Sequence, residues 1–322
     1  NGTTEERTFD LLSRPLTIVL KNAGGTTLRS ESLTYNKASQ ILTRTVDGVQ
    51  TSYAYDANGR LVSETAPGRT VSYVWDANGN RTGRTVNGVA ETATYDDGDK
   101  LLNVAVGGSA TRSYVYDGAG RATSVTTSSG TTALSWDSRG YATSVGGTAM
   151  VTNGAGARTV EGGQALLRDG ADVLAPILAD GAATYVPGVS ERRAGATSYL
   201  HGGDKNAEAR TNATGAVTGS RTYDAFGAVL STGGTWQGPA GYGGAFGYRE
   251  DGTNFRLVGH RLYDPVAGRF LSRDPARDGG NWYLYCDGDP VNLVDPTGLR
   301  SFLQVLGGTL MSASNNLLGA IG

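Results

Sequence analysis

The sequence predicts an all-β protein, an antiparallel ribbon of β-hairpins that leads into a distinct closing block. Three observations carry that prediction. An aromatic residue followed by a polar turn recurs at a near-constant interval, and a second turn signal falls about halfway between recurrences. Glycine is abundant, 49 of 322 residues, without a collagen period and beside frequent Thr, Tyr and Val. That mixture favours many short strands joined by tight reversals.

The recurring pairs are Tyr35-Asn36, Tyr55-Asp56, Trp75-Asp76, Tyr95-Asp96, Tyr116-Asp117 and Trp136-Asp137, with aromatics 20, 20, 20, 21 and 20 positions apart. The fullest copy reads Tyr55-Asp56-Ala57-Asn58-Gly59-Arg60-Leu61, and Phe9-Asp10 is an earlier, irregular one. The second signal is Asp47-Gly48, Pro67-Gly68, Asn87-Gly88, Gly107-Gly108, Ser129-Gly130 and Gly146-Gly147. Asx-Gly and Gly-Gly pairs meet the positive-φ demand of tight hairpin turns. Each unit therefore holds two strands and two reversals. Period-two alternation puts Val71, Tyr73 and Trp75 on one face and Ser72 and Val74 on the other. One hairpin is marginal in water, so the units must stack edge to edge. A propeller is disfavoured, because its blades repeat at roughly 40 residues with four strands each.

Composition bounds the chemistry. The formal net charge of −2 is spread along the chain, with neither a nucleic-acid footprint nor a patch for anionic membranes. Cys286 is the only cysteine, so an intramolecular disulfide and a thiolate metal cluster are excluded. His201 and His260 are the only histidines, and no apolar run approaches the ~18 residues of a membrane span. No cofactor or metal site is expected. Asn1 opens the chain without a signal peptide, which reads as a fragment or processed chain whose start lies elsewhere.

The Tyr-Asp-x-x-Gly-Arg-Leu unit resembles the YD repeat of RHS proteins, teneurins and the C subunits of bacterial insecticidal toxin complexes. The resemblance implies a ribbon that spirals into a hollow shell, with many more repeats upstream of the six or seven here. Three regions follow: a ribbon over 1–162, a core domain over 163–299 and an apolar tail over 300–322. Within the second lie the apolar Ala175-Pro176-Ile177-Leu178 and Tyr185-Val186-Pro187-Gly188, then Tyr199-Leu200-His201-Gly202-Gly203-Asp204, and a late unit, Tyr223-Asp224-Ala225-Phe226-Gly227. The closing block is similar to the RHS-associated core domain. Its stretches are Arg261-Leu262-Tyr263-Asp264-Pro265, Gly268-Arg269-Phe270-Leu271-Ser272-Arg273-Asp274-Pro275, Asn281-Trp282-Tyr283-Leu284-Tyr285, Asp289-Pro290-Val291-Asn292 and Asp295-Pro296-Thr297-Gly298-Leu299.

Four of the nine prolines lie in this block, each after an aspartate. Proline fixes its own φ and pushes the preceding residue to extended geometry, so each Asp backbone is stiff. Such a pivot suits catalysis, and taken singly it equally suits a turn. Pro290, Asp295, Pro296, Gly298 and Leu299 match the family's autoproteolysis motif, which implies cleavage between Leu299 and Arg300. By the same resemblance Asp274 is the second catalytic carboxylate and Arg273 its neighbouring cation. The sequence departs from the pattern at Arg277, where relatives often carry Gly. The chemistry is coherent: two nearby carboxylates cannot both ionise cheaply, so one stays protonated as acid while the other acts as base. A permanent cation such as Arg273 would hold one member ionised. The same pair suits a glycosidic bond in principle, but nothing else in the block reads as a sugar cleft.

The remaining residues read as structural. His201 and His260 sit among Gly and aromatic residues, as packed or hydrogen-bonded groups. Cys286 is a half-buried small residue, Arg60 and Arg121 are solvated or paired with repeat aspartates, and the Tyr/Trp series lines the core rather than stacking on sugars. In the tail, Phe302, Leu303, Val305, Leu306, Leu310, Leu317, Leu318 and Ile321 are spaced loosely like an apolar helix face. In polymorphic toxins of this type the segment after the Leu is the effector, held inside the shell. The expected function is a secreted bacterial scaffold that encloses its own C-terminal cargo and releases it by one self-cleavage, with a secretion-system or surface partner. The alternative is a non-catalytic structural or adhesive cell-surface protein that binds glycans or self-assembles through strand edges.

Overall fold

The computed structural model describes residues 1–203, 205–303 and 311–312. Asp204 and most of the apolar tail, including Val305, Leu306, Leu310, Leu317, Leu318 and Ile321, lie outside the described residues. Among the described residues there is no α-helix; two 3-10 turns, Gly244–Phe246 and Cys286–Gly288, are the helical elements. Seventeen strands, from Thr4–Phe9 to Gln164–Ala165, form one antiparallel sheet, and each pairs with its neighbours in sequence. Eight strands from Leu167–Arg168 to Val229–Gly234 form a second meander. Two small sheets complete the block: Arg249–Glu250, Arg256–Val258, Arg261–Asp264 and Arg269–Phe270, then Leu293–Val294, Phe302–Leu303 and Met311–Ser312.

The turn chemistry sets the register. Val46 pairs with Val49 around Asp47-Gly48, and Val86 with Val89 around Asn87-Gly88. Both Asx residues and both glycines have positive φ, between 47° and 84°, the primed-turn geometry that matches strand twist. One reversal is displaced from its expected place. Thr127 pairs with Gly130, so Ser128-Ser129 forms the turn and Gly130 begins the next strand. The Thr127 hydroxyl contacts Ser129 Oγ at 2.8 Å and accepts the Ser129 N–H, and this local bonding holds the reversal earlier.

At the other edge the polar residue after each aromatic builds a wider loop. The Asp56 N–H donates to the Arg60 carbonyl at 2.9 Å, and Asp56 Oδ1 accepts the N–H groups of Asn58 and Arg60, each at 2.9 Å. Its Oδ2 takes Arg60 Nε at 2.7 Å. Asp117 repeats this arrangement with Ala119 and Arg121, so both arginines are paired with their repeat aspartates. The preceding aromatic reaches back one unit. Tyr55 and Tyr95 hydroxyls donate to the Ile41 and Arg81 carbonyls, and Trp75 Nε1 to Leu61, all at 2.8 Å. Tyr and Trp thus interchange because each offers a donor at the end of an apolar ring.

The alternation holds as expected: Val71 and Tyr73 are buried, whereas Ser72 and Val74 face solvent. The closing block fills the buried face. Phe255, Leu262, Ala267 and Leu271 pack with Leu101, Tyr114, Val125, Leu134 and Val145 of the ribbon. Phe226, from the late repeat unit, packs with Leu61, Val71 and Tyr73. A third cluster lies within the block: Tyr242, Tyr248, Val258, Tyr263, Phe270, Tyr285, Cys286 and Leu293. Cys286 is fully buried there, not half-buried as the sequence suggests, because the 3-10 turn tucks it beneath Tyr285. The helix-like spacing of the tail does not describe Phe302–Leu303 either, since these residues pair as a strand with Leu293–Val294.

The interlocking aromatics make a direct prediction. Tyr95→Phe keeps the ring under the Arg269 guanidinium, 4.8 Å from its centroid, and removes only the donor to Arg81. It should cost about 1 kcal/mol, read as a lower urea midpoint at unchanged slope. Tyr199→Phe, in the second meander, should stay within about 0.5 kcal/mol of the parent. Equal losses would show that the hydroxyl staple contributes nothing.

Candidate active site

The four Asp-Pro aspartates receive different treatment. Asp264 is fully buried, and its Oδ2 accepts from Arg112 Nη2 at 2.7 Å and the Tyr114 hydroxyl at 2.8 Å. Asp289 accepts from Asn292 Nδ2 at 2.8 and 2.9 Å and from Gln40 Nε2 at 3.1 Å. Burial pushes its carboxyl up to about 6. Both acids tie the block to the ribbon. Asp274 and Asp295 instead meet across a cavity.

Asp295 is 1% exposed. Its Oδ1 accepts the backbone N–H of Leu299 at 3.0 Å and of Arg300 at 3.1 Å, and the Thr297 hydroxyl at 3.1 Å. The Gly298 N–H closes the loop onto the Asp295 carbonyl at 3.1 Å. Gly298 has φ +66°, and a Cβ there would stand 2.2 Å from the Val258 carbonyl oxygen, so no side chain fits. The Asp295 carboxylate therefore contacts the nitrogen of the Leu299–Arg300 peptide itself.

Asp274 is held by its own N–H to the Trp282 carbonyl at 2.9 Å, and its Oδ1 accepts the Ala276 N–H at 2.7 Å. Its Oδ2 lies 3.6 Å from Arg261 Nη2, and Asp295 Oδ2 lies 3.4 Å from the same nitrogen. One guanidinium thus serves two carboxylates. Arg261 is 3% exposed. It donates from Nη1 to the Trp282 carbonyl at 3.0 Å, donates from Nε to the Gly298 carbonyl, and stacks 3.5 Å over the Phe270 ring. Burial raises both carboxyls above their usual range while Arg261 pulls them down, and the charges of Asp295 and Asp278 add to the rise at Asp274.

The cation between the acids is therefore Arg261 and not Arg273. The Arg273 side chain packs against the ribbon turns at Gly98 and Gly120, with its guanidinium carbon 5.8 Å from the Trp282 ring centroid. Adjacent residues on an extended segment point to opposite sides, so neighbouring Asp274 in sequence keeps Arg273 away from its carboxylate. Arg261 lies 34 positions before Asp295, and no local pattern announces that pairing. Arg277, where the resemblance leads one to expect glycine, has φ 53°, a conformation glycine adopts without steric cost, and its guanidinium carbon stands 5.6 Å from the Trp282 ring centroid.

Asp274, Asp295 and Arg261 line a cavity of about 290 Å³ with Asp278, Asp287, Leu299 and Arg300. Asp278 Oδ2 binds Arg300 Nε at 2.9 Å, which orients the residue just past the motif. Neither histidine contributes a carboxylate or nucleophile contact. His201 Nε2 bonds the Thr211 hydroxyl at 2.8 Å, and His260 stacks on Tyr141 at 5.6 Å. No group of three or more metal-ligating side chains forms among the described residues.

The RHS Repeat family profile matches residues 35–71 and 55–89. Over 77 residues the chain is 39% identical to toxin subunit YenC2 of Yersinia entomophaga, covering 23% of this chain and 8% of that protein. Its fold is similar to the Photorhabdus luminescens Tc holotoxin pore with the TccC3 mutation D651A. The TM-score is 0.58 at 15% identity, over 97% of this chain and 19% of that one. It is also similar to TcdB2-TccC3 without its hypervariable C-terminal region, with TM-score 0.52 at 18% identity, over 92% and 20%. The chain thus spans about a fifth or less of each of these proteins. Residues 35–89 thus carry RHS repeats, and the chain shares its fold with these toxin-complex structures.

Proposed function

We propose that this chain is the closing portion of an exported shell that encloses a C-terminal effector and separates it by a single aspartyl self-cleavage between Leu299 and Arg300. One observation carries the reading: the Asp295 carboxylate contacts the Arg300 nitrogen while sharing Arg261 with Asp274. Ionised Asp274 takes a proton from a cavity water, whose oxygen bonds to the Leu299 carbonyl carbon. Protonated Asp295 gives its proton to the Arg300 nitrogen as the carbon–nitrogen bond breaks. The products are a carboxylate-terminated shell and a chain beginning at Arg300. Arg261 keeps one acid ionised and supports the Gly298 carbonyl beside the reacting bond. The toxin-complex likeness supports an extracellular setting and association with other toxin subunits.

Intact mass and SDS gels of the expressed chain test this. The wild type should yield a fragment ending at Leu299. Asp274→Asn and Asp295→Asn should each slow its appearance by about a hundredfold or more. An intact wild-type chain, or cleavage unchanged by Asp295→Asn, would overturn the reading.

The pH response follows from the raised carboxyls. Because the fold holds the acid's proton above the ordinary value of about 4, raising pH through the raised value removes that proton and should slow cleavage. Single-turnover rates after refolding, taken from about pH 4 to about pH 8, should decline on the alkaline side. A flat profile would exclude the carboxyl acid.

A further inference from the structure

We propose that Lys205 and Tyr248 form a rear clamp on the 290–295 loop, placing the Asp295 carboxyl and making self-cleavage conditional on closure of the second meander over the block. The inference rests on the self-cleavage reading above.

Asp295 is fixed in front by the contacts that define the site. Behind it, its own N–H donates to the Tyr248 hydroxyl at 2.8 Å, and that hydroxyl lies 3.1 Å from the Tyr285 hydroxyl. Lys205 Nζ donates to the Pro290 carbonyl at 2.6 Å, the Leu293 carbonyl at 3.1 Å and the Tyr242 hydroxyl at 2.7 Å. All three ammonium protons are used. The residue is 5% exposed, and Nζ sits 4.4 Å from the Tyr242 ring centroid and 5.8 Å from that of Tyr285. Burial pulls the ammonium down to about 8, against the attraction of Cys286 and Asp289.

A buried cation is a costly way to fill space, and an apolar side chain of equal length would pack there without desolvating a charge. What an apolar residue cannot do is hold two carbonyls of one loop. Those carbonyls belong to Pro290, the first residue of the cleavage motif, and to Leu293, two residues before Asp295. Lys205 and Tyr248 touch the backbone that carries the acid and not the reacting atoms, so they are positioning residues.

Lys205 also reports on closure. Glu208, three residues on, binds Arg29 at 2.5 Å and Arg44 at 2.7 Å, and both arginines bind Glu31 of the ribbon. Gly203 packs directly against the Glu31 carboxylate. The Lys205 segment is therefore seated by the first sheet and in turn seats the acid loop. A chain that has not closed lacks the clamp, and its cargo stays attached.

The test is the single-turnover cleavage rate of the full chain, at a temperature where circular dichroism shows every variant folded. Lys205→Met should slow cleavage about ten- to a hundredfold, the scale of a catalytic group displaced by about an ångström. Tyr248→Phe, which keeps the ring and loses the acceptor, should slow it in the same direction and carries the test if Lys205→Met does not fold. Lys205→Arg, which keeps cation and donors, should recover part of the rate. Glu208→Gln, which loosens the seat without touching the loop, should also slow cleavage. Val145→Ala is the stability control, since Val145 is buried where the ribbon packs on Leu262 and Leu271 and is not one of the residues bonded to the 290–295 loop; its rate should match the wild type despite its lower melting temperature.

Wild-type speed in Lys205→Met and Tyr248→Phe would remove the clamp while leaving the aspartyl reading intact. So would equal slowing in Val145→Ala, or Lys205→Arg no faster than Lys205→Met. An unchanged rate in Glu208→Gln would remove the coupling to closure. An uncleaved wild type would remove the self-cleavage reading and the clamp with it.

Discussion

Most of the wider loops of the ribbon are fixed by a carboxylate, or its amide equivalent, that accepts two backbone N–H groups of the loop it opens, as Asp56, Asp96, Asp117, Asp137 and Asn153 do. These groups would otherwise be unsatisfied at a reversal. Because one unit spans two strands, every such loop returns to the same edge of the sheet. The edge becomes a row of rigid loops presenting carbonyls and amides at regular steps, and the closing block is bonded to that row. Gln40 reaches Asp289 at 3.1 Å, Asn281 reaches Asn80 at 2.8 Å, and the Tyr283 hydroxyl donates to the Gly120 carbonyl at 2.6 Å. At Gly120 an added Cβ would lie 2.5 Å from that hydroxyl, so glycine in the repeat is required by the docked block as well as by the turn. The site geometry depends on this seating, because the segments bearing Asp274 and Asp295 contact the ribbon on their outer sides.

Much of this was legible in the sequence, because local rules decide it. The aromatic spacing gave the strand count per unit, the Asx-Gly and Gly-Gly pairs gave the two-residue turns, and alternation at Val71, Ser72 and Tyr73 gave the buried face. The Ser128-Ser129 turn was missed by one position, because hydroxyl bonding to the backbone competes with the glycine preference there. The illegible parts are long-range. Arg261 as the shared cation depends on strand pairing that folds distant residues together, while Arg273, adjacent to the acid, is directed to the ribbon by the alternation of side chains. The burial of Cys286 follows from a left-handed turn, φ 50° at both Cys286 and Asp287, which neither residue type advertises.

Charge also joins the sheets. Arg29, Glu31, Arg44 and Glu208 form a balanced quartet between ribbon and second meander. Burial alone would raise Glu31, but Arg44 and Arg29 hold it down at about 2. Two cations face two anions, each acid touching both arginines, so desolvation is offset by direct pairing and hydrogen bonds. This is how a structural ion cluster is expected to look.

The contrast with Asp274 and Asp295 is the strongest physical argument for chemistry at that place. Asp264, preceding a proline in the same block, has its own arginine and a tyrosine hydroxyl on one buried oxygen. A fold needing only stiff turns at 274 and 295 could have supplied each with a partner in the same way. It places both acids on one guanidinium nitrogen instead, beside a cavity that admits water. With one cation for two buried carboxyls, the state of lowest electrostatic cost keeps a proton on the pair. A proton retained on a carboxyl pair beside a peptide bond, with a cavity large enough for water alongside, is the asymmetry that acid–base hydrolysis requires. Stability alone gives no reason to build it.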